Sequence, residues 1–350
     1  MKKILVNMFI ACVLVSSPDL YAQNKRAGTA AATELLIPVG ARDIAMGGAT
    51  VATSQGLESI HWNPAGIGHL GYSAAAMFSS MNYIADIGVS YGSVGVSFEG
   101  FGVLALSVKS LNIGNILITT TDDPDGDGGR IFTPTFVTVG LSYGRALTNS
   151  ISVGTTFKLI TEQIDRVAAN GLAIDFGVQY SNVANISGLA VGVAIKNIGP
   201  QMKYDGSGLL RTATANDGSR PQQRYKSEAA SFELPSLMEI GVSYSRKIDD
   251  MLDFNVNSVF ANDNLYLDEY KVGGEVGVSL ETIRLFGRAG MSFIPQFSDQ
   301  FSGETSIFNT PSLGAGLFYD ASDVDITIDF AYRSVKNFGS NSIFSVKLGF

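Results

Sequence analysis

Residues Val324 to Arg333 read VDITIDFAYR. Val324, Ile326, Ile328, Phe330 and Tyr332 fall on one face. Asp325, Thr327, Asp329, Ala331 and Arg333 fall on the other. A period of two suits a half-buried strand, and a helix, which repeats about every 3.6 residues, cannot use it. Leu252, Phe254, Val256 and Phe260 likewise oppose Asp253, Asn255 and Asn257, and Leu172, Ile174, Phe176, Val178 and Tyr180 oppose Ala173, Asp175, Gly177 and Gln179.

Outward from this stretch, the same alternation predicts about 14 strands. They lie near 73–81, 84–93, 101–112, 134–145, 150–162, 169–181, 187–197, 235–247, 250–261, 269–280, 282–294, 311–320, 323–335 and 340–350. Connections after the fourth, sixth, eighth, tenth and twelfth segments are short. Those after the third, fifth, seventh, ninth and eleventh are mostly longer, the longest running over roughly 198–234. Short turns on one side and long loops on the other is the layout of an outer-membrane barrel, with the short turns periplasmic.

The even segments repeat a word: GVSY at Gly88–Tyr91, GLSY at Gly140–Tyr143, GVQY at Gly177–Tyr180, GVSY at Gly241–Tyr244 and GLFY at Gly316–Tyr319. Each tyrosine shares a face with the preceding apolar residue and is predicted to point outward, as an interfacial aromatic girdle does. The competing reading is a soluble sandwich whose tyrosines cap the core. The loop asymmetry together with the girdle favours the barrel. The chain ends SIFSVKLGF, with Phe344, Val346, Leu348 and Phe350 on one face, an outward-alternating last strand that can close onto the first and remove exposed edges.

The inward face is rich in Gly, Ala and Ser. By parity it also carries the charges Lys158, Asp175, Glu239, Asp253, Glu275, Arg284, Arg288, Asp325, Asp329, Arg333 and Lys347. A barrel this wide is not filled by its own wall, so something else, or water, occupies the lumen.

The N-terminal MKKILVNMFIACVLVSSPDLYAQ reads as a signal peptide over 1–22: Lys2 and Lys3, an apolar run too short to span a bilayer, and small Ala22 before Gln23. A lipidated Cys12 is disfavoured by Phe9 and by the apolar run continuing past it. Removing 1–22 takes away Lys2, Lys3 and Asp19. It leaves 22 basic against 31 acidic residues, a net charge of −9 and no cysteine. Disulfides, thiol chemistry and nucleic-acid binding are thereby disfavoured. Residues 23–71 lack period two and are predicted to form a compact, partly helical hatch inside a barrel of 72–350. Ser54 is a candidate helix cap, and Asn63 before Pro64 ends one turn while Pro64 opens the next.

The hatch contains SIHWNPAGIGHL, Ser59 to Leu70, with the only tryptophan and both histidines. His61 and His69 have no standard metal spacing, no cysteine joins them, and no catalytic set forms around them. GIGHLG fits G-x-G-x-x-G but lacks the βαβ context. In TDDPDGDGG (Thr121–Gly129), Asp123, Asp125 and Asp127 open like a calcium loop, but Pro134 stands where an EF-hand needs glutamate. A looser calcium site is the weak alternative to a solvated acidic loop.

LLIPVGARDIAMGGATVA followed by LESIHWNPAG resembles the N-terminal signature of the PorV/PorQ family. The matching positions are Gly40, Ala41, Arg42, Met46, Gly47, Gly48, Ala49, Trp62, Asn63, Pro64, Ala65 and Gly66, with weaker echoes at Asn197-Ile198-Gly199 and Leu234-Pro235. The family is similar in fold to FadL-type transporters, 14-stranded barrels with an N-terminal hatch. The resemblance implies an all-β, 14-stranded antiparallel outer-membrane barrel, not an enzyme, with no cofactor. Its implied role is in type IX secretion, binding exported cargo or its sorting domain. The alternative is a FadL-like channel for hydrophobic small molecules. Both chain ends are placed on the periplasmic side and the long loops outside. The implied partners are outer-membrane lipid, secreted cargo or secretion components, or a hydrophobic lumen ligand.

Overall fold

The computed structural model describes residues 28–214, 221–294 and 309–350. The signal peptide expected at 1–22 lies outside the described residues. Fourteen antiparallel strands close into a barrel in sequence order. They are β1 (Ala74–Asn82), β2 (Gly88–Phe98), β3 (Gly102–Asn112), β4 (Thr135–Ala146), β5 (Ile151–Ile164), β6 (Val167–Ser181) and β7 (Leu189–Ile198). The second half is β8 (Leu237–Lys247), β9 (Leu252–Asp263), β10 (Glu269–Leu280), β11 (Ile283–Phe293), β12 (Pro311–Asp320), β13 (Asp325–Val335) and β14 (Gly339–Gly349). β1 pairs with β14 as well as β2, so neither is left as an edge, and the Phe350 N–H donates to Ala74 O across the seam.

The alternation has the cause the sequence suggests. In β3, Val103, Ala105, Ser107, Lys109 and Leu111 are buried, while Leu104, Leu106 and Val108 face outward. Repeated around the wall, this leaves an apolar outer belt, including Phe78, Leu141, Phe176, Val256, Leu313 and Phe330. Such a belt is an aggregation surface in water and a matched surface in hydrocarbon.

Every expected strand lies within two residues of its position except the second. The sequence predicts 84–93, but Ile84–Asp86 is a 3-10 turn and the strand starts at Gly88. Ala85 and Asp86 have φ of 52° and 60°, which a strand cannot continue. Gly88–Tyr91 therefore opens β2 rather than ending it, and its phase is reversed: Val89 and Tyr91 are buried. The girdle consists of Tyr143, Tyr180, Tyr244 and Tyr319 on the outer side near the short-turn end, without Tyr91. The three long connections, 113–134, 199–236 and 294–310, all leave the other end, but the fifth is only the tight Asp165-Arg166 turn.

Residues 28–71 run through the barrel. Helices α1 (Ala41–Ala45) and α2 (Ser59–Trp62) and 3-10 turns at Thr33–Leu36, Gly56–Glu58 and Pro64–His69 are joined by tight backbone. Ile37, Ala41, Ile44, Ala45 and Trp62 pack on Met81, Val89, Leu111, Ala331 and Ile343 of the wall. Leu57, Ile60, Ile67 and Leu70 pack on Met77, Tyr91, Val103 and Ala105. The lumen is thus the core of the protein. Ser54 is not a helix cap, because its hydroxyl donates to Asp43 Oδ2 at 2.6 Å.

The N-terminal end, expected on the periplasmic side, lies outside the described residues. Phe350 lies at the short-turn end, as expected. The first described residues lie at the long-loop end, where the Ala31 N–H donates to Glu233 O and the Ala32 N–H to Glu162 Oε1. Ala31, Ala32 and Leu35 form a small core there with Ile160, Met202 and Leu234.

Candidate functional site

The Asn-Pro-Ala-Gly box is built from a conflict between Asn63 and Pro64. Proline removes the α conformation from the residue before it, and Asn63 is extended at φ −156° and ψ 106°. Its Oδ1 then accepts from the Ala65 N–H at 3.1 Å and starts the next turn. Its Nδ2 donates to Val51 O at 2.7 Å and reaches Val178 O at 3.2 Å and Val193 O at 3.4 Å on the wall. One fully buried carboxamide therefore ties two parts of the hatch to β6 and β7.

The wall accepts this backbone because its inward residues there are glycines. An added Cβ would stand 2.1 Å from Pro64 O at Gly154, 2.3 Å from Val51 O at Gly192, 2.2 Å from Met46 O at Gly273 and 2.1 Å from Met46 C at Gly290. The small inward face of the sequence is thus a socket. The hatch contributes matching glycines. A Cβ on Gly47 would meet Met291 N at 2.6 Å, one on Gly48 the Trp62 ring at 2.8 Å, and one on Gly66 Ser54 O at 2.1 Å. Met46, Pro64 and Ala65 are buried in this contact.

Trp62 donates from Nε1 to Val39 O at 3.0 Å. Lys196 and Lys271 Nζ stand 5.8 and 6.0 Å from its ring centroid. Glu239 holds both lysines, at 2.6 Å from Lys196 and 2.8 Å from Lys271. Trp62 is therefore packing, as a flat face for two cations whose charge one buried carboxylate partly balances.

Arg42 anchors a longer network. Its guanidinium makes a two-pronged contact with Glu275, Nε to Oε2 and Nη2 to Oε1, both at 3.1 Å, and a third contact with Asp43 Oδ1 at 3.1 Å. Glu275 also takes Arg288 Nε at 2.5 Å, and Arg288 Nη1 reaches Asp329 Oδ1 at 2.6 Å. Lys347 Nζ lies 2.9 Å from both Asp329 Oδ2 and Glu58 Oε2, which brings the chain of charges back to the hatch. Burial opposes the Arg42 charge, but Glu275 and Asp43 outweigh it and raise its proton affinity. Asp43 is pushed up to about 7, by burial first and then by Glu58. A network that alternates in sign tolerates burial because its inner members, Arg42, Glu275, Arg288, Asp329 and Lys347, are each paired on both sides.

A third cluster marks an irregularity in the wall. The β6–β7 ladder shifts register between Ile174 and Phe176. Asp175 Oδ1 accepts the Asn197 N–H at 2.8 Å, Lys158 reaches Asp175 Oδ2 at 2.5 Å, and Asn197 has φ 60°. Asn197-Ile198-Gly199 is thus a bulge stitched by a buried ion pair.

The signature of the type IX secretion system protein PorV matches residues 20–216. The chain belongs to the PorV family. The PorV match spans the described hatch and β1–β7, so it contains Arg42, the Met46-Gly47-Gly48 turn, the Asn63 box and the Asn197 bulge. None of the curated proteins matches the sequence. Solved structures of like fold include the CymD monoaromatic hydrocarbon channel, at 13% identity and TM-score 0.52, covering 89% of this chain and 97% of that one. The P. putida toluene transporter TodX is similar at 10% identity and TM-score 0.54, covering 89% and 99%. A Pseudomonas aeruginosa FadL homologue is similar at 10% identity and TM-score 0.52, covering 89% and 98%. At these identities the likeness is one of fold. This PorV-family barrel is a protein of the outer membrane.

The other lumen charges do not join the PorV-family hatch network. Asp253 pairs with Arg284 at 2.5 Å near the short-turn end. Asp325 accepts from the Tyr72 hydroxyl at 2.8 Å, and Arg333 donates to Ser292 Oγ at 3.2 Å. His61 packs edge-on to Trp62, with ring centroids 5.1 Å apart. The calcium candidate is not assembled: both Asp123 oxygens accept the loop's own Asp127 and Gly128 N–H groups, at 2.9 and 3.0 Å. No metal-binding cluster of three or more His, Cys, Asp or Glu side chains occurs among the described residues. Sequence reasoning missed Asp43, Glu58, Lys109, Lys196 and Lys271. The three lysines have the inward parity of their strands and were findable. The two hatch carboxylates sit in irregular backbone, where no period assigns a face.

Proposed function

We propose that this barrel is a type IX secretion component that engages exported cargo, or the cargo's sorting domain, at its long-loop face while the hatch stays in place. The observation that carries this reading is the through-going hatch. Its backbone lies against wall glycines, and paired ions bridge it to β10, β11, β13 and β14. Such a lumen is built as a solid core, which suits a holder of proteins better than a conduit. The three long connections share one mouth, and they carry short strand pairs, Ile116–Leu117 with Ile131–Phe132 and Leu210–Ala213 with Gln223–Lys226. Family membership supports the same reading.

The alternative is a channel for hydrophobic small molecules, which the fold shared with hydrocarbon channels favours. It requires the hatch to leave its socket. Deleting the chain and following cargo bearing a C-terminal sorting domain tests the first reading. Cargo retained inside the cell supports it, and unchanged secretion rejects it. Uptake of a hydrophobic dye by vesicles holding the purified barrel supports the alternative.

A further inference from the structure

Gly154, Gly192, Gly273 and Gly290 of the wall face hatch backbone, but Gly140 does not. A Cβ there would meet Ser107 Oγ at 2.6 Å and Thr156 Cγ2 at 3.4 Å. In front of it lies a small cavity of ≈30 Å3. Its polar lining comes from Tyr91, Ser107, Lys109, Thr138 and Lys158 of the wall and from His61 of the hatch. No carboxylate is among the described residues that line it.

Three observations give this lining a sign. The Thr138 hydroxyl is buried with no hydrogen-bond partner among the described residues, the Tyr91 hydroxyl is buried beside Ser93 and Ser107, and the two residues are only 7% and 5% exposed. Lys158 is held by Asp175 and Asn197, but among the described residues Lys109 donates to carbonyl oxygens alone, those of Glu34 at 2.7 Å, Ile37 at 3.1 Å and Leu35 at 3.5 Å. Glu34 itself is pushed up, by burial first and then by Glu162, which weakens the counter-charge it offers Lys109. His61 reports the resulting potential: burial, then Lys109, Lys196, Lys158 and Lys271, hold its pKa well below the ordinary value.

We propose that this cavity is a binding site for one small inorganic anion, such as chloride, between the ammonium groups of Lys109 and Lys158 and the hydroxyls of Thr138 and Tyr91. A buried cation without a paired anion is costly. Water satisfies the hydroxyls but brings no negative charge to the side of Lys109, whose ammonium is met by carbonyl oxygens of the hatch. An anion accepts from the hydroxyls and supplies the missing charge. The volume is enough for one or two water-sized particles and excludes bulky oxyanions. The anion would lie between the hatch and β2–β5, and so would help to fasten one to the other. The site stands whichever cargo or ligand the barrel serves.

The test uses the full-length barrel crystallised in bromide in place of chloride. An anomalous peak in contact with Thr138 Oγ1 and lying between Lys109 and Lys158 is expected. Gly140→Ala, which puts a methyl group into the cavity, should abolish the peak. A wild-type protein with no such peak overturns the proposal, and so does a peak unchanged in Gly140→Ala. A second measurement needs no crystals. The thermal midpoint is compared in sodium chloride and in sodium gluconate at equal ionic strength. The chloride-specific gain should shrink at least twofold in Thr138→Val, which keeps the shape and removes the donor. An identical salt response in wild type and variant overturns the site.

Discussion

Asn63 Oδ1 stands 2.0 Å from the place a Cβ on Gly177 would take. The carboxamide and the missing side chain are two halves of one contact. Asn63→Ala is expected to orphan the Ala65 N–H, at about 1–3 kcal/mol for that buried group, and to leave the Val51 carbonyl with Gln179 Nε2 as its remaining side-chain donor. Gly177→Ala should block docking of the same turn. Both should lower the yield of barrel that keeps its compact, unheated mobility in gel electrophoresis. Gly92→Ala is the control, because nothing lies within 4 Å of its added methyl, and it should change stability by no more than about 0.5 kcal/mol.

Glu275→Gln should be far more damaging than Asp253→Asn. Glu275 is 10% exposed and serves two buried guanidinium groups, Arg42 and Arg288. Removing its charge leaves both without their shared partner, a loss of about 3–5 kcal/mol. Asp253 and Arg284 are 24% and 38% exposed, and an open pair of this kind contributes about 0–1 kcal/mol. Thermal unfolding of the two variants beside wild type separates these magnitudes. Equal losses would refute the assignment of Glu275 as the hub.

The mouth of the hatch should loosen as pH rises. Glu34 is held at about 8 against an ordinary 4.5, so the folded state binds its proton more tightly than the unfolded state does. Stability from this group is complete below about pH 4.5 and is lost as pH climbs through 8, a change on the order of a few kcal/mol. Protection factors of residues 28–37, with the base-catalysed rise of the intrinsic exchange rate divided out, should therefore fall between about pH 5 and 8. Glu34→Gln should remove that dependence, and a pH response unchanged in the variant would count against it.

Replacing both His61 and His69 with glutamine should leave the barrel assembled. The loss is one edge-on ring contact, worth about 0.5–1.5 kcal/mol. Gel mobility and thermal midpoint read the outcome, and an unfolded double variant would overturn the view that Asn63 and Pro64 carry the motif.

Loop 119–129 should ignore chelator. Its order comes from Asp123 accepting backbone N–H groups. Asp123→Ala should speed proteolysis within the loop several-fold, and treatment with a calcium chelator should leave the wild-type cleavage rate unchanged.

The wall was legible in the sequence because one physical rule, apolar outward, acts on every strand. Phase failed where a repeated word stood in for it: GVSY of β2 matches GVSY of β8 letter for letter, yet Tyr91 is buried and Tyr244 exposed. The hatch motif was legible as a pattern, and its partners were not. Gly154, Gly177, Gly192, Gly273 and Gly290 read only as a small inward face, since nothing local says which backbone lies opposite. Glu58 and Lys347 are 289 positions apart, and neither neighbourhood announces the other.

One contact set gives the hatch a part in closing the barrel. Ser345 of β14 accepts the Ala41 N–H of the hatch and donates to Ser79 of β1, while Lys347, two residues on, reaches Glu58 of the hatch. Ser79 and Ser345 are separated by 266 positions, and bringing such distant strands together carries a loop-closure cost that local pairing does not meet. The hatch touches both sides of that seam. Its contacts there help to offset that closure cost, so the seated hatch and the joined first and last strands support each other.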